Sequence, residues 1–233
     1  MQKINHKFHI AIKTCLKIQP SIFGDLFMLF VFDMGGVLAN STCTENICSE
    51  LGISTQEFYL FQRDSIGNNT YQALSIGTIS PEEYWDNFSH NSGIQIQEDL
   101  FKLLYRPKID NSILFLINKI KKTGCRVVCC TNTIKSHFEE HLRLGNYSAF
   151  DHIYSSHIMG VKKPSPEIFR RIIELERVAA GDVYFIDDDS RNVKVAQDLG
   201  FSVHLFVSAE ILKEDLSHFS CKSCRSNGDK YTP

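Results

Sequence analysis

In this 233-residue chain, the residues best suited to chemistry sit at the ends of short apolar runs. Asp33 follows Leu29–Phe32, with Gly35 and Gly36 just behind it. Thr131 and Asn132 follow residues 126–130, and Asp187, Asp188 and Asp189 follow residues 183–186. Lys162 and Lys163 stand immediately before Pro164. Ligands of open parallel sheets bind beyond the carboxyl ends of the strands, so these runs would deliver their polar residues to one edge. Carboxylates brought together repel, and must protonate, pair with lysine or bind a cation. Oxygen donors with no His or Cys beside them suit Mg²⁺. Mg²⁺ in turn suits phosphoryl chemistry, in which charge on the transferring oxygens needs neutralising. Asp33 could act as a covalent nucleophile toward phosphorus, with a lysine balancing the phosphoryl charge. The residues by themselves suggest metal-assisted phosphoryl transfer.

The elements that must position these groups can be read from periodicity. Leu29–Phe32 reads as a buried strand, and so do residues 126–130, 153–155, 183–186 and 203–206. Helical patterns lie between them, at residues 112–122, 134–144, 166–176 and 191–199. Gly124 stops the first of these, and Ser165 with Pro166 opens the third. Strand and helix alternating in this way imply an α/β fold, a three-layer doubly wound parallel sheet. Residues 43–108 have no comparable apolar run. They carry capping-box spacings, Ser54 with Glu57 and Ser80 with Glu83, and Pro81 at a first-turn position. This stretch reads as an inserted cap of about four short helices. The expected organisation is a non-core extension at 1–27, a core at 28–42 and 109–216, the cap at 43–108, and a polar tail at 217–233.

Four segments, in order, resemble the motifs of the haloacid dehalogenase superfamily, and together they span nearly everything from Met28 to about Leu212. Residues 30–38 resemble the first, which implies Asp33 as nucleophile and the Gly35 carbonyl as a metal ligand. Residues 127–132 resemble the second, which implies phosphate binding by Thr131 and Asn132. Residues 160–169 resemble the third, with Lys163 as its lysine. Residues 183–188, followed by Asn192 and Ala196, resemble the fourth, which implies Asp187 and Asp188 as metal-site acids. Residues 77–85 are similar to the helical cap of the subfamily whose cap follows the first motif. The resemblance implies a Mg²⁺-dependent phosphatase acting on a small phosphorylated metabolite, a sugar phosphate among the candidates, through an aspartyl-phosphate. Asp33 and Lys163 would be catalytic, and Thr131, Asn132 and Lys163 would bind substrate. Asp33, Gly35, Asp187 and Asp188 would hold the metal.

One position departs from the pattern. Phosphatases of this family normally carry a second Asp two residues past the nucleophile, as general acid and base, and here that residue is Gly35. Such a group is typically worth ~10²–10⁴-fold. Either another group replaces it, or turnover is slow, or the substrate has a good leaving group. Asn40 and Thr131 could position water, and Glu45 is the nearest acidic candidate in sequence. Two rival readings follow: a metal-free 2-haloacid dehalogenase, and a catalytically weakened fold that binds a phosphorylated ligand or a protein partner.

Other features have plainer readings. Lys162 reads as a surface lysine and Asp189 as part of a solvated turn. His137 and His141, four apart on a helix, read as a solvated pair with no third metal ligand. Phe58, Phe61 and Phe101 read as packing within the cap. Cys129 and Cys130 point to opposite faces of a strand, which suggests packing in a reduced, cytoplasmic protein. Cys221 and Cys224 form a lone pair too few for a zinc site. A net charge of −2 provides no global field for nucleic acid or an anionic membrane. No apolar run reaches membrane-spanning length.

Overall fold

The computed structural model describes residues 28–218. The expected extension at 1–27, Cys15, Cys221 and Cys224 lie outside them. No helix among the described residues is long and apolar enough to cross a membrane.

Five parallel strands form the central sheet: β1 (Leu29–Phe32), β4 (Arg126–Thr131), β5 (His152–Ser155), β6 (Val183–Asp187) and β7 (Ser202–Leu205), in the order β5-β4-β1-β6-β7. β1 is in the middle because all four of its residues are apolar and buried, as a strand covered on both faces requires. The chain builds outward from β1 through β4 to β5, then crosses back to place β6 against β1's other edge.

Alternate residues feed two cores. Phe30, Phe32, Val127, Cys129, Tyr184 and Ile186 face helices α6 (Asn111–Lys122) and α11 (Ala209–His218). Leu29, Val31, Val128, Cys130, Val183 and Phe185 face α9 (Pro166–Glu176) and α10 (Ser190–Asp198). Cys129 and Cys130 therefore pack on opposite faces, and the five described cysteines are free thiols. α11 was not expected from the sequence. Its Leu212 and Leu216 cover the first face, and the helix runs past position 217, where a polar tail was expected to begin.

Between the short antiparallel strands β2 (Ala39–Asn40) and β3 (Lys108–Ile109) the chain forms five helices. These are α1 (Cys43–Leu51), α2 (Thr55–Phe61), α3 (Thr70–Ser75), α4 (Pro81–Ser92) and α5 (Leu100–Leu104). Both capping boxes form: Ser54 and Ser80 each accept the N–H of the glutamate three residues on, and each glutamate bonds back. Each such cap is worth ~1 kcal/mol. A third core fills the insert, with Phe58, Tyr84, Trp85, Phe88 and Phe101 at its centre and Ile134 entering from the sheet side. The β2–β3 pair was not anticipated. Two residues are too few to show periodicity, and their partners are far apart in sequence.

α7 (Lys135–Arg143) packs against α5, which corrects the reading of His137 and His141 as solvated. The Tyr105 ring stacks on His137 at 3.8 Å between centroids, and its hydroxyl lies 2.7 Å from His141 Nε2. Burial lowers the pKa of His137 to about 3 and of His141 to about 4. The spacing of four does put both imidazoles on one helix face, but that face meets the insert rather than water.

Candidate active site

Sheet register assembles the site. Phe32 pairs with Ile186, and the ladder continues one bond further, from Asp33 N–H to the Ile186 carbonyl at 2.9 Å. Asp33 is thereby level with Asp187 at the end of β6. On its other edge β1 runs in register with β4, which ends at Thr131. Thr131 Oγ1 has no hydrogen-bond partner among the described residues, so it is free to donate to a ligand.

Lys163 joins the two carboxylates. Its side chain is fully buried, with Nζ 2.8 Å from Asp33 Oδ1 and 2.6 Å from Asp187 Oδ2. Asn132 fixes the lysine's backbone: its Nδ2 donates to the Lys163 carbonyl at 2.8 Å and its Oδ1 accepts the Lys163 N–H at 2.9 Å. The Asn132 side chain is thus committed to holding a loop, which leaves its backbone as the group able to meet a phosphate. Asp187 Oδ1 accepts from Asp189 N–H and from Asn192 Nδ2, both at 2.9 Å. Asp33 Oδ1 also accepts the Met34 N–H at 2.7 Å.

Asp188 is the exposed member of the acidic group. Asp33, Asp187 and Asp188 each offer an oxygen within 4.8 Å of the others. Gly36 allows the close approach: it has φ +77°, and a Cβ there would fall 2.0 Å from Asp188 Oδ2. Gly35 is different, because a Cβ there would meet nothing within 4 Å. Glu45 lies exposed on α1, and among the described residues only Asp187 and Asp188 cluster with Asp33. Asp189 caps α10 and pairs with Arg191 instead of facing the cluster.

The electrostatics show an excess of negative charge. Burial pushes the Asp33 carboxyl up to about 7, against the pull of Lys163, and Asp187 adds to the rise. Burial and the neighbouring Asp187 raise Asp188 as well. The Lys163 ammonium is held above its ordinary value by Asp33, Cys130 and Asp187, although burial opposes this. One lysine faces three carboxylates, all with hard oxygen donors and no nitrogen or sulfur ligand among them. That donor set and charge fit a small divalent cation such as Mg²⁺.

Residues 27–200 match the family described as haloacid dehalogenase-like hydrolase. The chain belongs to the haloacid dehalogenase-like hydrolase family. Among its relatives, the sesquiterpene phosphatase astK of Aspergillus oryzae is 26% identical over 185 residues, covering 77% of this chain and 90% of that protein. The D-ribitol-5-phosphate phosphatase of Bacteroides thetaiotaomicron is 26% identical over 189 residues, covering 73% and 87% respectively. A solved enzyme of the family from the same bacterium, in complex with magnesium and inorganic phosphate, has a TM-score of 0.64 and 26% identity. That alignment covers 76% of this chain and 93% of the solved one.

Within this family member, the residues singled out by the motifs come together: Asp33, Gly35, Thr131, Asn132, Lys163, Asp187 and Asp188 surround one sheet edge. Lys162 corrects its reading as a surface lysine. It is half-buried, and its Nζ donates to Gln72 and, at 3.2 Å, to Ser75 Oγ, both on α3. Ser156, the first residue of the short helix α8 (Ser156–Met159), is a further contact. Its hydroxyl accepts the Thr133 N–H at 2.9 Å and donates to the Ser75 carbonyl at 2.6 Å. Nothing local marks either residue, since their partners on the insert are 81 to 90 positions away.

Proposed function

We propose that this hydrolase is a Mg²⁺-dependent phosphatase of a small phosphorylated metabolite, with Asp33 as nucleophile and the helical insert as a cap over the site. The observation that carries the reading is the buried Lys163 between Asp33 and Asp187, with Asp188 completing a three-carboxylate cluster. The activities of the two phosphatase relatives, and the magnesium and phosphate bound by the solved family enzyme, support it.

Asp33, Asp187, Asp188 and the Gly35 carbonyl would hold Mg²⁺. When bound, the ion supplies positive charge against the phosphoryl oxygens. The chain's own groups do the rest. Lys163 and the Met34 N–H orient the Asp33 carboxylate, and Thr131 and the Asn132 backbone meet the phosphoryl oxygens. Asp33 attacks phosphorus, the P–O bond to the leaving group breaks, and an aspartyl-phosphate forms. Water then attacks phosphorus and frees Asp33 and inorganic phosphate. With no side chain at Gly35, the departing oxygen takes its proton from solvent.

Asp33→Asn should lower Mg²⁺-dependent phosphate release by at least about 10⁴-fold across a panel of phosphorylated metabolites, as expected for loss of a nucleophile. Full activity in that variant overturns the mechanism. Chloride release from a 2-haloacid without Mg²⁺ supports the dehalogenase reading instead. No turnover combined with tight phosphate binding supports a binding protein, the reading that Gly35 keeps open.

A further inference from the structure

Two lysines adjacent in sequence meet opposite circumstances. Lys163 is neutralised by two carboxylates. Lys162 is half-buried, and its ammonium contacts only the neutral oxygens of Gln72 and Ser75. No carboxylate pairs with it among the described residues. Burial alone lowers its pKa. A partly desolvated charge without a counter-charge costs free energy, which an incoming anion would offset.

Its position ties it to the site. The Ser75 carbonyl accepts from Ser156 Oγ, and that hydroxyl accepts the N–H of Thr133, two residues past Thr131. A short chain of hydrogen bonds thus links the Lys162 partner on α3 to the expected phosphate-binding end of β4. The insert is held close here: a Cβ on Gly77, just past α3, would fall 2.2 Å from the His157 carbonyl. Lys162 therefore stands at the seam between insert and sheet, adjacent in sequence to the site's own lysine, Lys163, which is already paired.

We propose that Lys162 recognises a second anionic group on the substrate, a carboxylate or further phosphate on the leaving portion. Resting on the phosphatase reading, this narrows the substrate class to phosphate esters that carry an additional negative charge.

Calorimetric binding to the full chain with Mg²⁺ tests it without requiring turnover. The probes are methylphosphonate, phosphonoacetate, which adds a carboxylate, and methylenebisphosphonate, which adds a phosphonate. The native protein should bind at least one doubly functional probe about tenfold more tightly than methylphosphonate, as a charge contact at a partly desolvated site can supply. Lys162→Met should collapse that ratio to near one, and Lys162→Arg should keep most of it. Which probe is favoured distinguishes carboxylate from phosphate. A ratio near one in the native protein overturns the proposal. So does a ratio that Lys162→Met leaves unchanged, or an equal loss for all three probes, which would mark a seam contact only. Because binding is read directly, preferential binding with no Asp33-dependent turnover would refute the phosphatase reading while leaving the Lys162 assignment standing.

Discussion

The floor of the site and the seam between insert and sheet are built on different principles. On the floor, buried charges hold one another: Lys163 bridges Asp33 and Asp187, and Asn192, Asp189 and Asn132 fix the members. At the seam, mostly neutral groups meet: Ser156 with Ser75, the Tyr105 ring on His137, and Lys162 with amide and hydroxyl oxygens. Breaking a buried ion pair strands a charge, so the floor has one workable geometry. Neutral contacts cost little to exchange, so the seam can tolerate movement and different ligands. Rigidity lies where bonds would be made and broken, and adaptability where a substrate would be chosen.

The largest effect on this contrast should come from Lys163→Met. It leaves Asp33 and Asp187 buried without their cation, at a cost of ~3–5 kcal/mol of stability in metal-free urea unfolding. Adding Asp33→Asn to that variant should recover part of the loss. A single-variant cost under ~1 kcal/mol would show that the floor is not held by its charges.

Gly35→Asp should come next, and as a gain. A side chain there meets nothing within 4 Å, and the residue is not in the left-handed region. A carboxyl at this position should raise turnover of alkyl phosphates relative to nitrophenyl phosphate by about tenfold or more, within the range of a general acid. An unchanged ratio would mean that leaving-group protonation does not limit the native protein.

The seam should respond to acid. His141 is buried and His137 and His157 are half-buried, and burial lowers the pKa of His137 to about 3 and of His141 and His157 to about 4, against 6.5 ordinarily. Folded, they stay neutral below pH 6.5, while the unfolded chain takes up their protons. Their stabilising contribution is therefore complete above about 6.5 and declines as the pH falls toward 4. The slope is about 1.4 kcal/mol per pH unit for each proton bound only by the unfolded chain. His137→Phe should flatten that slope in urea titrations between pH 6.5 and 4. An unaltered slope would place the acid sensitivity elsewhere.

Much of the sheet was legible because its signals are local. Leu29–Phe32 is apolar throughout, Ser165-Pro166 is a helix start, and Ser54 with Glu57 and Ser80 with Glu83 are complete caps within four residues. Helix α11 escaped notice because its apolar residues make sense only against the face they cover. The site was half legible. Residue type and place after a strand singled out Asp33 and Asp187, since a parallel sheet leaves such residues at one edge, and position before Pro164 singled out Lys163.

By itself, then, the chain determined which groups could do chemistry and the alternation of elements that carries them, since periodicity and capping act over a few residues. Only the tertiary structure decided the use of each group: that Asn132 grips the Lys163 backbone, that Lys162 reaches the insert, and that His137 and His141 pack against Tyr105 of the insert. Those outcomes depend on what burial brings within ~3 Å across tens of residues, the distance at which hydrogen bonds form. No local pattern records it.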